Sequence, residues 1–283
     1  LPISIQKDYF LPSLNLKYNL NDKNSFRLGV SKTYTLPQAK EISPYRYVGV
    51  NFNSQGNPNL KPSDNYNLDL KWDFNPTPTE LISLTAFYKL IKNPISRIEV
   101  ASAGGYLSYE NIADKATVAG VEIEIRKNLF VRPVSNAAHG MNKLSLGLNG
   151  SYIYTNAKMP LATVTTGSQL EGAAPWIVNF DLSHNFTKGE RSFVNTLVLN
   201  YVSDKIYTIG TQGYQDMMEQ GVLTLDFVSQ AKLNKHLSLN LKARNLLNPS
   251  YKLSRKANEN GEKVILNDYK KGINISLGVS CTF

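Results

Sequence analysis

Long stretches of this sequence alternate apolar and polar residues, and this pattern constrains the fold more than any other feature. In the last stretch, from 273 to 283, the apolar residues occupy every second position: Ile273, Ile275, Leu277, Val279, Cys281 and Phe283. Successive side chains of a β-strand point to opposite faces, so this period indicates strands with one apolar and one polar face. A strand of this length can cross a bilayer when it is tilted by about 45°.

The same alternation predicts eleven candidate strands, whereas a helical period is nowhere sustained. The strands cover residues 13–20, 25–35, 64–74, 80–91, 116–128, 143–155, 176–186, 192–203, 222–232, 236–247 and 271–283. The links after the even-numbered strands are long, and those after the odd-numbered strands are shorter, with 133–142 the longest of them. Short turns on one rim and long loops on the other are typical of bacterial outer-membrane barrels, in which the short turns are periplasmic.

Aromatic residues near the strand ends support a membrane-spanning barrel. On the apolar face of the eighth strand, Phe193 and Tyr201 flank Leu197, and on the second strand Phe26 and Tyr34 occupy the two ends. Aromatic side chains favour the two membrane interfaces, and aliphatic residues favour the middle of the span. The sequence therefore predicts an all-β, antiparallel transmembrane barrel.

The opposite faces of the strands are polar and charged. We expect seven charged residues on them to line a hydrated lumen: Asp69, Lys71, Glu122, Glu124, Arg126, Lys242 and Arg244. Many charged inward positions suit a wide barrel, although a soluble sandwich would also have a solvated polar face. Glu122 and Glu124 share a face and could form an acid/base pair, but Arg126 on the same face favours an ion-pair network.

Eleven strands are an incomplete set, because bacterial single-chain barrels have an even number of strands. A free strand edge in lipid would leave backbone groups without hydrogen-bond partners, at several kcal/mol each. The chain also starts without an initiator methionine or a signal peptide. We therefore expect residues 1–283 to be the C-terminal part of one barrel, with the first half and any N-terminal domain outside this chain.

Composition excludes other classes of protein. The chain has a net charge of +9, but its 31 Lys and Arg residues are scattered, so nucleic acid is not an expected partner. The single cysteine, Cys281, rules out an internal disulfide, and the three histidines, His139, His184 and His236, lie far apart. No catalytic, phosphate-binding or metal-ligand motif is present. We therefore expect no enzymatic activity, no catalytic residue, no metal site and no cofactor.

The long loops contain the residues best suited to bind a solute. Their aromatic rings could stack on a ligand, and their amide and guanidinium groups could donate hydrogen bonds to it. The candidates are Tyr45, Arg46, Tyr47, Asn51, Tyr106, Tyr109, Tyr207 and Tyr214. An equally open alternative is that these rings pack the loops against each other or against lipopolysaccharide.

Five local motifs, in family order, resemble the C-terminal half of the barrel of a TonB-dependent outer-membrane receptor of the Bacteroidetes type. They lie at residues 11–15 with 26–34, at 57–62, at 118–122, at 244–249 and at the C-terminal Phe283. The resemblance covers essentially the whole chain, and it implies roughly half of a barrel of about twenty-two strands. Cys281 departs from the family pattern, in which a tyrosine is more usual at this position. Phe283 looks like the signal that the barrel-assembly machinery recognises.

The resemblance also implies a function. Such receptors take up a scarce solute, for example a ferric chelate, a cobalamin-like compound or an oligosaccharide or peptide nutrient, by TonB-coupled movement of an N-terminal plug. It implies an outer-membrane location with extracellular long loops, a periplasmic C-terminus and contacts with outer-membrane lipid and lipopolysaccharide. Contact with the TonB complex would be made through the missing N-terminal region. A passive porin or a surface-adhesion barrel is the alternative, and a soluble all-β binding protein is a third possibility that the large apolar face disfavours.

Overall fold

The computed structural model describes residues 6–102, 105–134, 140–159, 169–257 and 261–282. Its regular elements are one short helix and nineteen strands. In chain order they are β1 (Ser13–Asn19), β2 (Asn24–Thr35), α1 (Ala39–Ile42), β3 (Arg46–Tyr47), β4 (Ser54–Gln55), β5 (Ser63–Phe74), β6 (Leu81–Lys92), β7 (Ile95–Val100), β8 (Tyr106–Asn111), β9 (Lys115–Pro133), β10 (Met141–Ala157), β11 (Trp176–Lys188), β12 (Arg191–Val202), β13 (Lys205–Thr208), β14 (Met217–Glu219), β15 (Val222–Lys232), β16 (Leu237–Arg244), β17 (Ser250–Lys256), β18 (Lys263–Lys270) and β19 (Asn274–Cys281). Among the described residues, no helix is long and apolar enough to cross a membrane.

Eleven of these strands form one antiparallel sheet, which confirms the predicted fold class. Its order is β1-β2-β5-β6-β9-β10-β11-β12-β15-β16-β19, so each strand pairs with the next strand of the sheet along the chain. The strand ends differ from the predicted ones by a few residues. The tenth strand stops at Arg244 rather than at residue 247, because Asn245 adopts a left-handed backbone conformation with φ of 58°.

The links between the strands of this sheet alternate in length, as predicted. The five long links lie on one rim, and we name them loop A (36–62), loop B (93–114), loop C (158–175), loop D (203–221) and loop E (245–273). The five shorter links lie on the opposite rim. The shortest of these is a two-residue turn between β11 and β12, where Gly189 has φ of 59°.

The apolar face of the sheet is more exposed than the polar face, which is the opposite of the arrangement in a soluble protein. On β5 the apolar side chains of Leu68 and Leu70 are 45% and 53% exposed, whereas the polar Asn65 and Asp73 on the other face are 7% and 5% exposed. The sheet therefore curves around its polar face and presents its apolar face to the surroundings. This arrangement is expected for a barrel wall with a polar interior and a lipid-facing exterior.

Loops A, B, D and E contain secondary structure that the sequence pattern did not predict. Strands β3, β4, β8 and β7 form one small sheet, and β13, β14, β17 and β18 form another. A parallel bridge between Ile98 and Ile209 joins loop B to loop D. The main cluster of buried apolar residues lies here, around Ile98, Ile206 and Ile209, and it extends to Ala116 and Ala157 at the adjoining ends of β9 and β10. The loops consequently form one packed body on the long-loop rim.

Candidate functional site

A cavity of about 430 Å³ lies within this packed body of loops. Four long loops contribute to it, and its lining is largely aromatic and polar. The lining residues are Lys40, Gly49, Asn51, Phe52 and Ser54 from loop A; Arg97, Leu107 and Tyr109 from loop B; Tyr207 and Glu219 from loop D; and Tyr251, Lys252, Leu253, Asn267 and Tyr269 from loop E. This is the concave site best suited to bind a small molecule among the described residues.

The position of the cavity follows from the topology of the sheet. Loop A leaves the sheet at its second strand, and loop E leaves it at its tenth strand. Eight strand spacings of about 4.8 Å separate these positions by about 38 Å along the sheet. Loops A and E can share one cavity only because the sheet curves and the loops lean over its polar, concave face. A solute in this cavity would therefore lie at the mouth of the barrel.

Arg97 organises one side of the cavity. Its guanidinium carbon lies 4.4 Å from the centroid of the Tyr207 ring, and a guanidinium nitrogen lies 3.3 Å from the Glu171 carboxylate. The backbone N–H of Arg97 also donates a hydrogen bond to Glu171 Oε2, over 2.5 Å. Burial raises the pKa of the Glu171 carboxyl above its usual value, although Arg97 opposes this shift. Arg97 thus fixes loops B, C and D relative to each other and leaves a cation beside an aromatic face.

The neighbouring Tyr109 has a similar environment. Burial raises the pKa of its phenol above the ordinary value, and the nearby Arg97 acts in the opposite direction. The phenol is therefore neutral at physiological pH and can donate a hydrogen bond to a ligand oxygen.

A second ion pair joins loop B to loop E. The guanidinium of Arg255 binds the Glu99 carboxylate, and the two side chains are only 16% and 11% exposed. Arg255 also lies over the ring of Tyr214, at 5.2 Å from the centroid. The hydroxyl of Thr211 donates a hydrogen bond to the Glu99 carbonyl oxygen, which brings loop D into the same contact. This network joins loops B, D and E through residues that do not line the cavity.

Three of the predicted ligand-binding residues, Asn51, Tyr109 and Tyr207, line the cavity. The other five do not. They lie on the loop surface or contact other loop residues, which agrees with the alternative that these rings pack the loops. Tyr45 is 74% exposed, and the guanidinium carbon of Arg46 lies 5.7 Å from the ring centroid of Tyr106. The rings of Tyr47 and Tyr214 lie against the side chains of Lys40 and Arg255, respectively. A role of any of the eight in ligand binding stays a prediction.

Sequence reasoning missed the contribution of loop E to the cavity. Tyr251 and Tyr269 stack with ring centroids 5.4 Å apart, and Lys271 lies 3.8 Å from the centroid of Tyr251. Residues 250–271 contain two tyrosines and five lysines, whereas loop A contains two of each. That composition was the available signal. Arg97 could not be identified in this way, because its neighbours come from loops C and D.

The residues predicted to line the lumen lie on the polar, concave face. The strand register places Asp69 opposite Gly29 and Glu124 opposite Ser83 and Asn149, all on this face. Several of these residues form ion pairs on this face. Lys71 Nζ lies 3.4 Å from Oδ1 of the neighbouring Asp73, and Arg126 Nε donates a hydrogen bond to Glu124 Oε1 over 2.8 Å. The remaining residues of the set are Glu122 on β9 and Lys242 and Arg244 on β16. That they line a water-filled lumen stays a prediction.

Close packing on the polar, concave face explains why residue 147 is a glycine. A Cβ atom at Gly147 would collide with the carboxylate of Asp181, which lies over it from the neighbouring strand.

The predicted insertion signal, Phe283, lies outside the described residues.

Comparisons with known proteins agree with this architecture. The family model described as TonB dependent receptor-like, beta-barrel matches residues 2–246. An iron-regulated outer membrane virulence protein of Vibrio cholerae is 25% identical over 228 residues, which cover 77% of this chain and 32% of the relative. This chain thus spans about a third of the length of the curated relatives that it matches.

Similar solved structures include three receptors or transporters. The siderophore receptor PirA from Acinetobacter baumannii has a TM-score of 0.61 at 17% identity, covering 96% of this chain and 41% of that chain. The ferric yersiniabactin uptake receptor FyuA from Yersinia pestis has a TM-score of 0.60 at 16% identity, covering 96% and 37%. The copper transporter OprC has a TM-score of 0.63 at 14% identity, covering 96% and 39%.

At these identities the solved structures show the shared fold, and the match of the family model extends over most of the chain. The family consists of receptors rather than enzymes. The narrower expectation of a Bacteroidetes-type receptor stays a prediction. The chain belongs to the TonB-dependent receptor-like β-barrel family, whose members reside in the outer membrane.

Proposed function

We propose that this chain is the C-terminal part of the barrel of an outer-membrane receptor that takes up a scarce solute by TonB-coupled transport. The first part of the barrel and an N-terminal plug lie outside this chain. The family assignment supports this proposal, as does the fraction of its relatives that the chain spans. The same assignment disfavours a passive porin or a surface-adhesion barrel.

We infer that the solute is a ferric chelate. The curated relative is described as iron-regulated, and one of the similar structures is a ferric yersiniabactin uptake receptor. The observation in this chain that carries the inference is the cavity, which combines the cations Lys40, Arg97 and Lys252 with the rings of Tyr109 and Tyr207. Ammonium and guanidinium groups favour anionic ligands, and aromatic rings favour planar ones.

The proposed mechanism assigns a limited role to this chain. Its long loops face outward and capture the solute above the concave face, and its strands form about half of the wall around the path. Energy coupling needs the plug and its contact with the TonB complex, and both belong to the missing region. Insertion of the wall depends on the barrel-assembly machinery, which would recognise the C-terminal strand and Phe283.

The cavity cations provide the test of the solute class. In the full receptor that contains this chain, Lys40→Gln combined with Lys252→Gln should weaken the binding of a ferric chelate about tenfold, because two favourable charge contacts are lost. The quenching of intrinsic fluorescence during a ligand titration measures the dissociation constant. Lys263→Gln is the matched control, since Lys263 lies in loop E but outside the cavity.

Two results would contradict the proposal. One is unchanged affinity for the chelate in the double variant together with normal folding. The other is a preference of the wild-type receptor for a neutral oligosaccharide, a peptide or a cobalamin-like compound when these compete with the ferric chelate.

A further inference from the structure

One acidic residue lies behind the cavity rather than in its lining. Glu171, in loop C, is not among the described residues that line the cavity, but its carboxylate contacts Arg97, which does line it. Glu171 Oε1 lies 3.3 Å from Arg97 Nη2, and Glu171 Oε2 accepts the hydrogen bond from the backbone N–H of Arg97. Both oxygens of this carboxylate therefore interact with a single residue of the lining.

The backbone on both sides of Glu171 is fixed by other contacts. The N–H of Leu170 donates a hydrogen bond to Thr155 Oγ1 over 3.1 Å, and the N–H of Gly172 donates one to the Ile206 carbonyl oxygen over 2.8 Å. The side chain of Leu170 is buried in the main apolar cluster. These contacts hold the Glu171 carboxylate beside its partner, and they do not depend on the charge of that carboxylate.

Glu171 changes the charge that a ligand meets in the cavity. The charged residues of the lining are three cations, Lys40, Arg97 and Lys252, and one acid, Glu219. An ionised Glu171 offsets the charge of Arg97 from behind, whereas a protonated Glu171 does not. Charges in a partly buried site interact over several ångströms, so the protonation state of Glu171 affects an anion beside Arg97 without touching it.

The groups around Glu171 act on its protonation in both directions. Burial has the largest effect and raises the pKa of the carboxyl, while the hydrogen bond and the charge of Arg97 lower this pKa and the charge of Glu41 in α1 raises it. Tyr109 on β8 is the other titratable group close to Glu171, and its phenol is neutral because burial raises its pKa. An anionic ligand beside Arg97 would favour the protonated carboxyl further, since like charges repel.

We propose that Glu171 is a positioning residue that sets the preference of the cavity for anionic over neutral ferric chelates, because it controls how much of the Arg97 charge is available to the ligand. The inference rests on the proposed function and adds a residue outside the lining to the determinants of ligand choice. When an anionic chelate binds, the Glu171 carboxylate takes up a proton from solvent, and Arg97 interacts with the ligand at full charge. The preference for the anionic chelate is therefore strongest at low pH and falls as the pH rises and the carboxyl ionises.

The test compares two probes in the full receptor that contains this chain. One is a hexadentate ferric tris-catecholate, which is an anion, and the other is a hexadentate ferric tris-hydroxamate, which is neutral. Fluorescence quenching gives the dissociation constant of each, and the ratio of the two constants measures the preference. At about pH 8, Glu171→Gln should raise the preference for the anion about fivefold over the wild type, because glutamine can accept the hydrogen bond from Arg97 but has no charge.

The pH dependence separates a charge effect from a structural one. The difference in preference between Glu171→Gln and the wild type should shrink as the pH is lowered, since the wild-type carboxyl then becomes neutral as well. Comparing the two proteins at each pH cancels the titration of the chelates themselves. The mobility of the unheated receptor in gel electrophoresis reports whether the variant is folded.

Glu110→Gln is the matched control. Glu110 lies in loop B and pairs with Ser96 in the strand register, whereas its neighbour Tyr109 pairs with Arg97. Successive residues of a strand point to opposite faces, so Glu110 lies on the face away from Arg97, and it is not among the described residues that line the cavity. This variant should show the wild-type preference at every pH.

A purely structural role of Glu171 would weaken the binding of both chelates together and leave the preference unchanged, and this result would overturn the proposal. A change in preference that is the same at every pH would also overturn it. If Glu171→Gln does not fold, calorimetry of the wild type in two buffers of different ionisation enthalpy decides the question. Proton uptake with the anionic chelate but not with the neutral one supports the proposal, and equal uptake with both overturns it.

The two proposals fail in different ways. Binding of neither chelate by the wild-type receptor would contradict the proposed function and this inference with it. Binding of both chelates, with no effect of Glu171→Gln on the preference, would contradict this inference alone.

Discussion

Arginine in place of Leu70 should lower the free energy of unfolding of the membrane-inserted receptor by about 2–4 kcal/mol, because it places a charge near the middle of the lipid-facing surface. Leu70 is 53% exposed on the apolar face, between Leu28 and Ala86 of the neighbouring strands. Urea unfolding in lipid vesicles, followed by tryptophan fluorescence, measures the change.

Asn149→Arg is the matched control for this substitution. Asn149 lies on the polar face, where the register places it opposite Glu124. The new guanidinium would meet water and a carboxylate, so we expect a change within about 0.5 kcal/mol. A similar loss of stability at both positions would mean that the assignment of the two faces is wrong.

The second large effect is expected at the ion pair between Glu99 and Arg255. Arg255→Met leaves the Glu99 carboxylate buried without its cation, and breaking a buried pair in this way costs about 3–5 kcal/mol. The loss should act on the loop body rather than on the wall, because both residues belong to loops. Amide hydrogen exchange should therefore accelerate in β7 and β17 and stay unchanged in β11 and β12.

An exposed ion pair in the same loop body serves as the comparison. Lys205 and Glu219 lie 3.4 Å apart, and their side chains are 30% and 37% exposed. Lys205→Met should therefore cost at most about 1 kcal/mol. Adding Glu99→Met to Arg255→Met should recover much of the lost protection, since it removes the unpaired charge. If Arg255→Met changes exchange no more than Lys205→Met does, the buried pair does not hold the loops together.

The wall could be predicted from the sequence because its pattern is local. A strand exposed to lipid on one face and to water on the other must alternate along its own length, so Leu68 and Leu70 are apolar while Asn67 and Asp69 are polar. All eleven predicted strands are present for this reason. Errors were confined to strand ends, where residues such as Asn245 change the backbone direction.

The loop body could not be predicted because its contacts join segments that are distant in the sequence. Strand β4 has two residues and pairs with β8, and β14 has three residues and pairs with β17. Strands of two or three residues are too short to show an alternation of apolar and polar residues in the sequence. The environment of Arg97 likewise depends on Glu171 and Tyr207, which are close to it only in the folded chain. The sequence therefore indicated which loops contain suitable side chains, but not which of these share a cavity.

The central claim is that the long loops lie outside the cell and the short turns lie in the periplasm, and site-specific labelling of the full receptor on living cells tests it most directly. In a Cys281→Ser background, Tyr45→Cys places a thiol in loop A, and Glu190→Cys places one in the turn between β11 and β12; both positions are exposed. A membrane-impermeant maleimide should label the first thiol on intact cells and the second only after the outer membrane is permeabilised. Equal labelling of both thiols on intact cells, or the reverse order, would contradict the account.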